Sequence, residues 1–113
     1  MFCVTHCMNL HPSPFKKIVD GTKIIEIRLN DDKRKLIKVE DQIEFSSREN
    51  SNEKIYVEVI SLDYFKNFKE LCEAYPPIEY GSVSKDEYVK MYKYYSQEDE
   101  NKYGVLAIKF KVN

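Results

Sequence analysis

The sequence predicts an α+β fold, a small and mostly antiparallel β-barrel with short helices on its surface. About five segments alternate apolar and polar residues with the period of two that is typical of strands. The helical patterns between them are short, about one to three turns each. The chain has 113 residues, of which 42% are hydrophobic. It is therefore long enough for one folded domain and too apolar to be disordered.

The first strand is predicted over residues 2–10, where alternate side chains share a face. Ser13 and Pro14 are typical of a helix start, with Ser13 as N-cap and Pro14 in the first helical position. Apolar residues at helical spacing follow, namely Phe15, Ile18 and Val19. Gly21 is expected to end this helix of about two turns, since glycine readily adopts the left-handed conformation that follows many helices.

Three further strands are predicted over residues 23–29, 42–46 and 54–65. Residues 47–53 contain no apolar side chain and form the predicted hairpin loop between the last two strands. The alternation becomes ambiguous at Ser61, where we expect the long strand to bend. Because these connections are short, we expect neighbouring strands to pair mostly antiparallel.

The C-terminal third begins with a predicted short helix from the N-cap Asn67 through Ala74, which Pro76 and Pro77 terminate. The segment Ser84–Glu87 is a capping box for a further helix. Its apolar stripe is predicted to pack against the sheet and consists of Tyr88, Met91, Tyr92 and Tyr95. Residues 96–103 form another capped turn or helix, and residues 105–112 the final strand.

The charge and the cysteine content narrow the function classes. The net charge is −1, but residues 1–40 hold eight basic side chains against five acidic ones. Any affinity for nucleic acid therefore requires a focused basic patch rather than bulk charge. The sequence has no apolar run near the about 20 residues that span a membrane and no signal-peptide pattern. Three cysteines are an odd number, which argues against a set of structural disulfides and for a reducing compartment. We therefore expect a cytoplasmic protein without a membrane partner.

A metal site formed by Cys3, His6, Cys7 and His11 fails on geometry. On a strand, the two cysteines lie roughly 13 Å apart, and His6 faces the opposite side. Tetrahedral zinc needs sulfur ligands within about 4 Å of each other. Three scattered glycines also provide no phosphate-binding loop. We therefore expect no metal and no other cofactor.

The segment Gly21–Arg34 is the strongest candidate for a site. Its strand places apolar side chains on one face, and Glu26 and Arg28 on the other. Five polar or charged residues, from Asn30 to Arg34, follow directly. One interpretation is a scaffold that presents a ligand site. The other is a half-exposed strand with an ion pair and a solvated turn.

Residues Pro14–Arg34 have the pattern P-F-x-x-I-x-x-G-x-K-x-x-E-x-R-L-N-D-x-K-R, which resembles the ASCH domain of the PUA-like superfamily. The segment Tyr94–Ile108, Y-Y-S-x-E-x-E-x-x-Y-G-V-L-A-I, is similar to small stand-alone bacterial ASCH proteins. The resemblance implies a single ASCH domain over residues 1–113, with a PUA-like pseudo-barrel. It also implies a cleft beside the first helix and the GxKxxExR strand, with RNA or a nucleotide-like small ligand as partner.

The predicted function is RNA or nucleotide binding in this cleft. The predicted binding residues are Lys23, Glu26, Arg28, Asn30, Lys33, Arg34 and Tyr103, with Tyr94, Tyr95 or Tyr103 closing one side. Lysine and arginine are expected to contact phosphate, and a tyrosine to stack on a base. The ligand's identity and the oligomeric state do not follow from the sequence.

Two alternatives stay open. The first is a hydrolase acting on a modified nucleoside amide or on RNA, with Lys23 and Glu26 as an acid–base pair. Amidohydrolases of the superfamily resemble this chain at Lys23, but Glu26 occupies the position of their catalytic threonine. The second alternative is an interaction module in which the pairing of Glu26 and Arg28 only stabilises the fold.

Overall fold

The computed structural model describes residues 3–113 of the chain. Within that range, the strands are β1 (Thr5–Leu10), β2 (Ile25–Leu29), β3 (Gln42–Ser47), β4 (Lys54–Phe65) and β5 (Val105–Val112). The α-helices are α1 (Pro12–Val19), α2 (Phe68–Ala74), α3 (Tyr88–Met91) and α4 (Gln97–Tyr103). Short 3-10 turns span Arg34–Leu36, Pro77–Tyr80 and Lys85–Glu87.

The strands form one curled sheet in the order β1-β3-β4-β5-β2. The β1–β3 pair is parallel, and the other three pairs are antiparallel. A bulge between Val59 and Ser61 shifts the register of β4 against β5, which confirms the predicted bend and lets the sheet curl. The α+β class and the mostly antiparallel arrangement are confirmed. The result is a half-barrel whose edge strands are β1 and β2.

The two faces of the sheet bury separate hydrophobic clusters. The inner cluster lies within the half-barrel and includes Phe45 and Phe110, whose ring centroids are 5.5 Å apart. The outer cluster lies beneath the helices and includes Phe68 of α2 and Ala107 of β5. Burying each phenylalanine contributes about 1.5–3 kcal/mol, so both faces stabilise the sheet.

Strand β2 buries its apolar face, as the alternation predicts, and this face points to the outside of the half-barrel. Ile25, Ile27 and Leu29 lie in the outer cluster beneath the helices. Glu26 and Arg28 consequently face the inside of the half-barrel, opposite Ile108 and Leu106 of β5. The interpretation of Glu26 as half-exposed is wrong, because the residue is only 5% exposed. Both faces of β2 are covered, which alternation alone does not reveal.

Several boundaries agree with the sequence and others do not. The predicted limits of β4, β5 and the end of α2 match the structure, and the Asn67 side chain accepts a hydrogen bond from the Glu70 N–H as expected. Helix α1 begins at Pro12 rather than Pro14, with His11 as N-cap. Ser13 therefore lies inside the helix and is not its cap. Pro12 is suited to the first helical position because it lacks an N–H, and the N–H at that position has no partner within the helix. Gly21 has φ +84° just after this helix.

Other predicted elements are shorter than expected. Strand β1 starts at Thr5, and residue 2 of its predicted range lies outside the described residues. Strand β2 starts at Ile25, so Lys23 precedes it. The Ser84 hydroxyl accepts from the Asp86 N–H and opens a 3-10 turn instead of a capping box. None of the helices in residues 3–113 is long and apolar enough to cross a membrane.

Candidate functional site

A cavity of about 620 Å³ lies between the two edge strands of the half-barrel. One wall comes from the end of β1 and the start of α1, and the other from β2 with the segment that precedes it. Residues 91–95 cover one side. This volume is within the range of about 300–1,000 Å³ that is usual for small-molecule sites, so the cavity has room for a ligand of nucleotide size.

The floor of the cavity is a charged triad of Lys23, Glu26 and Arg28. Nζ of Lys23 lies 2.7 Å from Oε1 of Glu26, and Nε of Arg28 lies 2.8 Å from Oε2. The three side chains are 8%, 6% and 14% exposed, respectively. The alternation of β2 places Glu26 and Arg28 on the same face, and Lys23 reaches them from the turn before the strand.

Arg28 also joins the two edges of the sheet. Its Nη2 donates a hydrogen bond of 3.0 Å to the backbone oxygen of Asn9 in β1. The same guanidinium thus contacts Glu26 on its own strand and the main chain across the opening. Arg28 therefore bridges the two strands that form the walls of the cavity.

The backbone of Gly81 supports Lys23 from behind. Gly81 has φ +87°, and a Cβ atom built there would lie 3.1 Å from Cδ of Lys23. Nζ of Lys17 donates a 2.8 Å hydrogen bond to the Gly81 oxygen, which holds this loop against α1. The close approach of backbone to side chain keeps the Lys23 ammonium directed at Glu26.

The electrostatics of the floor keep Glu26 ionised. Burial alone would raise the pKa of the Glu26 carboxyl, but the charges of Lys23 and Arg28 outweigh it, and the pKa is lowered. Burial would lower the pKa of Arg28, and the Glu26 carboxylate reverses this, so that the pKa is raised. With two cations and one carboxylate, the floor carries a net positive charge at neutral pH.

Three further cations, Arg34, Arg48 and Lys93, line the cavity above this floor. Nη1 of Arg34 lies 3.6 Å from Oδ2 of Asp31, while Nε of Arg34 is buried with no hydrogen-bond partner among the described residues. Arg48 and Lys93 are exposed. The lining therefore combines five cationic side chains with two carboxylates, in a chain whose net charge is −1.

Aromatic rings form one side of the cavity. The Tyr95 ring stacks on Phe68 with centroids 5.4 Å apart, and burial is the main cause that raises the pKa of its hydroxyl. Tyr94 is 62% exposed, and its ring lies 5.8 Å from that of His11. Tyr95 is thus part of the outer core, whereas Tyr94 and His11 present rings at the mouth.

The structure brings together only part of the predicted site. Lys23, Glu26, Arg28 and Arg34 line the cavity, as do Tyr94 and Tyr95. The remaining predicted residues do not belong to the lining, namely Asn30, Lys33 and Tyr103. Their contribution to binding stays a prediction.

These three residues lie in different surroundings. Lys33 is exposed. The Asn30 N–H donates to the oxygen of Gly104 at 3.0 Å, and its Oδ1 is buried without a partner among the described residues. The Tyr103 ring, on α4, has the Lys102 ammonium 5.1 Å from its centroid.

Sequence reasoning missed most of the wall opposite β2. Asn9, His11, Arg48 and Lys93 line the cavity but are far from the 21–34 segment in the sequence. Gly81 was also not identified as a support for Lys23. Its role follows from the structure, where Gly81 adopts a positive φ that favours glycine. Residues 3–113 contain no group of three or more His, Cys, Asp or Glu side chains placed to hold a metal ion.

The fold and cavity define a small PUA-like α+β half-barrel protein with a cationic cleft. The ASCH domain family model matches residues 8–113. The chain therefore belongs to the ASCH domain family, whose PUA-like fold is often linked to RNA binding. The family model does not test whether residues 1–113 form a single domain, which stays a prediction.

Solved structures agree with this assignment. The crystal structure of the hypothetical protein PH0355 is 33% identical, with a TM-score of 0.83, over 97% of this chain and 100% of that chain. The solution structure of PF0455 from Pyrococcus furiosus is 29% identical, with a TM-score of 0.68 and coverage of 96% and 97%. The crystal structure of ASCH from Zymomonas mobilis is 17% identical and shows the fold alone, with a TM-score of 0.69 and coverage of 95% and 66%. A search of curated proteins found no match.

Proposed function

We propose that this protein binds a nucleotide, either free or as part of single-stranded RNA, in the cleft between β1 and β2. The observation that carries the proposal is the lining of the cavity. Five cationic side chains and two carboxylates surround about 620 Å³ in a protein whose net charge is −1. Positive charge concentrated in a concave site attracts an anionic ligand, and the cavity's size suits about one nucleotide.

The aromatic mouth supports a nucleotide over a simple anion. Tyr94 is largely exposed, and its ring together with that of His11 borders the opening. Stacking of a base on an aromatic side chain contributes about 1–3 kcal/mol and tolerates different bases. A ligand with both a phosphate and a base therefore uses both features of the cleft.

The geometry favours binding over hydrolysis by a Lys23–Glu26 acid–base pair. Each Glu26 oxygen already lies within 2.8 Å of a cationic nitrogen. The lowered pKa of this carboxyl makes it a weak proton acceptor at neutral pH. Incubation with acetylcytidine and with single-stranded RNA tests the alternative, and turnover that disappears in Lys23→Ala would contradict a purely binding role.

The binding experiment uses titration calorimetry with nucleoside monophosphates and competition anisotropy with a short single-stranded RNA. Replacing both Lys23 and Arg28 with alanine should weaken binding by about tenfold or more, because two charge-assisted contacts are removed. The dependence of affinity on salt should also become shallower. Lys69→Ala is the matched control, since this exposed lysine on α2 lies outside the cavity. Absence of any binding, or equal affinity in the double variant, would contradict the proposal.

A further inference from the structure

We propose that the floor of the cleft recognises a terminal phosphomonoester, so that the ligand enters phosphate first and leaves its base at the mouth. This inference rests on the proposed function and adds the orientation in which the ligand binds. It implies that the cleft takes mononucleotides or the phosphorylated end of an RNA strand. The interior of a continuous RNA strand is then not its ligand.

The first argument is the change in side-chain type with depth. The floor side chains Lys23, Glu26 and Arg28 are between 6% and 14% exposed. At the mouth, Tyr94 is 62% exposed and lies beside His11. The buried part therefore holds a net positive set of charges, whereas the opening combines exposed aromatic rings with the exposed cations Arg48 and Lys93. A nucleotide uses the buried charges and the exposed rings together when its phosphate lies on the floor and its base lies at the mouth.

The second argument is the supply of hydrogen-bond donors on the floor. Among the described residues, Nζ of Lys23 contacts one acceptor, Oε1 of Glu26. The guanidinium of Arg28 contacts two, Oε2 of Glu26 and the oxygen of Asn9. An ammonium and a guanidinium carry more N–H groups than these contacts use. The unused donors favour a ligand group that consists of acceptors alone, as a phosphate does.

The third argument is that protein atoms border the floor on two sides. Arg28 spans the opening between the edge strands through its bond to Asn9, and the Gly81 backbone lies against Lys23. A phosphodiester within a strand needs space for chain on both sides. A phosphomonoester needs space on one side only, and it carries about −1.5 to −2 charge at pH 7. A net positive floor that is bordered on these two sides therefore suits the end group better than an internal linkage.

The experiment compares ligands that share a base and a ribose and differ in the phosphate. Calorimetry measures affinity for uridine, its 5′- and 3′-monophosphates and its 3′,5′-cyclic monophosphate, with the adenosine series in parallel and inorganic phosphate as a competitor. We expect at least one monophosphate of a series to bind about tenfold tighter than its nucleoside and its cyclic diester. An eight-nucleotide RNA with a 5′- or 3′-phosphate should likewise compete better than the same RNA with two hydroxyl ends.

Two variants at the floor are expected to act in opposite directions. Lys23→Met removes a cation with little change in volume, so the preference for monophosphate over nucleoside should shrink to about twofold or less. Glu26→Gln removes the floor's carboxylate, so binding of monophosphate should stay equal or become tighter. Lys69→Ala should leave the preference unchanged, and a thermal melt verifies that each variant is folded. If Lys23→Met does not fold, the inference is still tested by whether Glu26→Gln strengthens or weakens the binding of monophosphate.

The possible failures are distinguishable. If nucleosides or cyclic nucleotides bind as tightly as monophosphates, the inference is overturned and nucleotide binding survives. If Glu26→Gln weakens monophosphate binding although the variant is folded, the net charge of the floor does not decide the affinity, and the inference is also overturned. If no compound of either series and no RNA binds, both the inference and the proposed function are wrong.

Discussion

Two buried carboxylates in this protein have contrasting partners. Glu26 is 5% exposed and Glu100 is 4% exposed, but Glu26 contacts two cations, whereas Glu100 accepts from neutral groups. Oε2 of Glu100 accepts from the Phe68 N–H at 2.8 Å, and the Tyr92 hydroxyl lies 2.9 Å from both oxygens. Burial and this hydrogen bond raise the pKa of Tyr92 to about 12.

The comparison separates a structural role from a ligand-binding role. Glu100 binds the first N–H of α2 and a tyrosine hydroxyl, and it does not line the cavity. Glu26 lies in the cavity and leaves a net positive charge around it. A buried carboxylate with neutral donors joins elements of the fold. A buried carboxylate outnumbered by cations leaves a net positive charge that attracts an anion.

The largest effect on stability is expected at Glu100. Glu100→Ala leaves the Phe68 N–H and the Tyr92 hydroxyl without their acceptor, and the free energy of unfolding should fall by about 3 kcal/mol. Urea denaturation measures the change, and the folded fraction should keep its nucleotide affinity. A loss below about 0.5 kcal/mol would remove the contrast with Glu26.

Glu26→Gln is expected to have a smaller and pH-dependent effect of about 1–2 kcal/mol at pH 7. The folded-state pKa of Glu26 is lowered from 4.5, so its stabilisation is present above pH 4.5 and is lost as the pH falls through the lowered value. Urea denaturation of wild type and variant from pH 3 to pH 7 should therefore converge at the acidic end. A constant difference over that range would show that the carboxylate's charge does not contribute.

The next prediction tests whether the Gly81 backbone positions the Lys23 side chain. Gly81→Ala combines an unfavourable φ of +87° with a Cβ that would lie 3.1 Å from Lys23, whereas Gly21→Ala has a similar φ of +84° and nothing within 4 Å. Each variant should lose about 1 kcal/mol of stability from backbone strain. Only Gly81→Ala should also weaken nucleotide binding, by about fivefold. Equal affinities in the two variants would mean that Gly81 does not position Lys23.

The smallest effects compare two neighbouring cations. Arg34 lines the cavity and Lys33 does not, although both belong to the predicted site. Arg34→Ala should weaken nucleotide affinity by about fivefold, and Lys33→Ala should change it by less than about twofold. The opposite ranking in calorimetry would extend the site to the exposed side of this turn.

The sequence predicts those parts of the site that are local in the chain. Lys23, Glu26 and Arg28 lie within six residues, so strand alternation places Glu26 and Arg28 on one face, and the short distance in sequence keeps Lys23 within reach of them. The opposite wall depends on β1 pairing with β3 and on the packing of residues 91–95. No local pattern specifies these contacts, because they arise from long-range topology.

The secondary structure is likewise predictable from the sequence where the signal is local. The limits of β4 and β5 agree with the sequence, since alternation with flanking turn residues is a strong local signal. The start of α1 was mispredicted because Pro12 and Pro14 are equally compatible with a first turn. Burial of Glu26 was missed because the charged face of β2 is covered by the curl of the sheet, a property of the whole half-barrel.

The pairing of the edge strands has a consequence for synthesis on the ribosome. Strand β2 pairs with β5, as Ile25 does with Lys109, and strand β1 pairs with β3. The strand that carries Glu26 and Arg28 thus gains its neighbour only after residues 105–112 have emerged. Contacts so distant in sequence form late, since chain closure must come first. A nascent chain without β5 should therefore show no ligand affinity, however well its first helix and hairpin have folded.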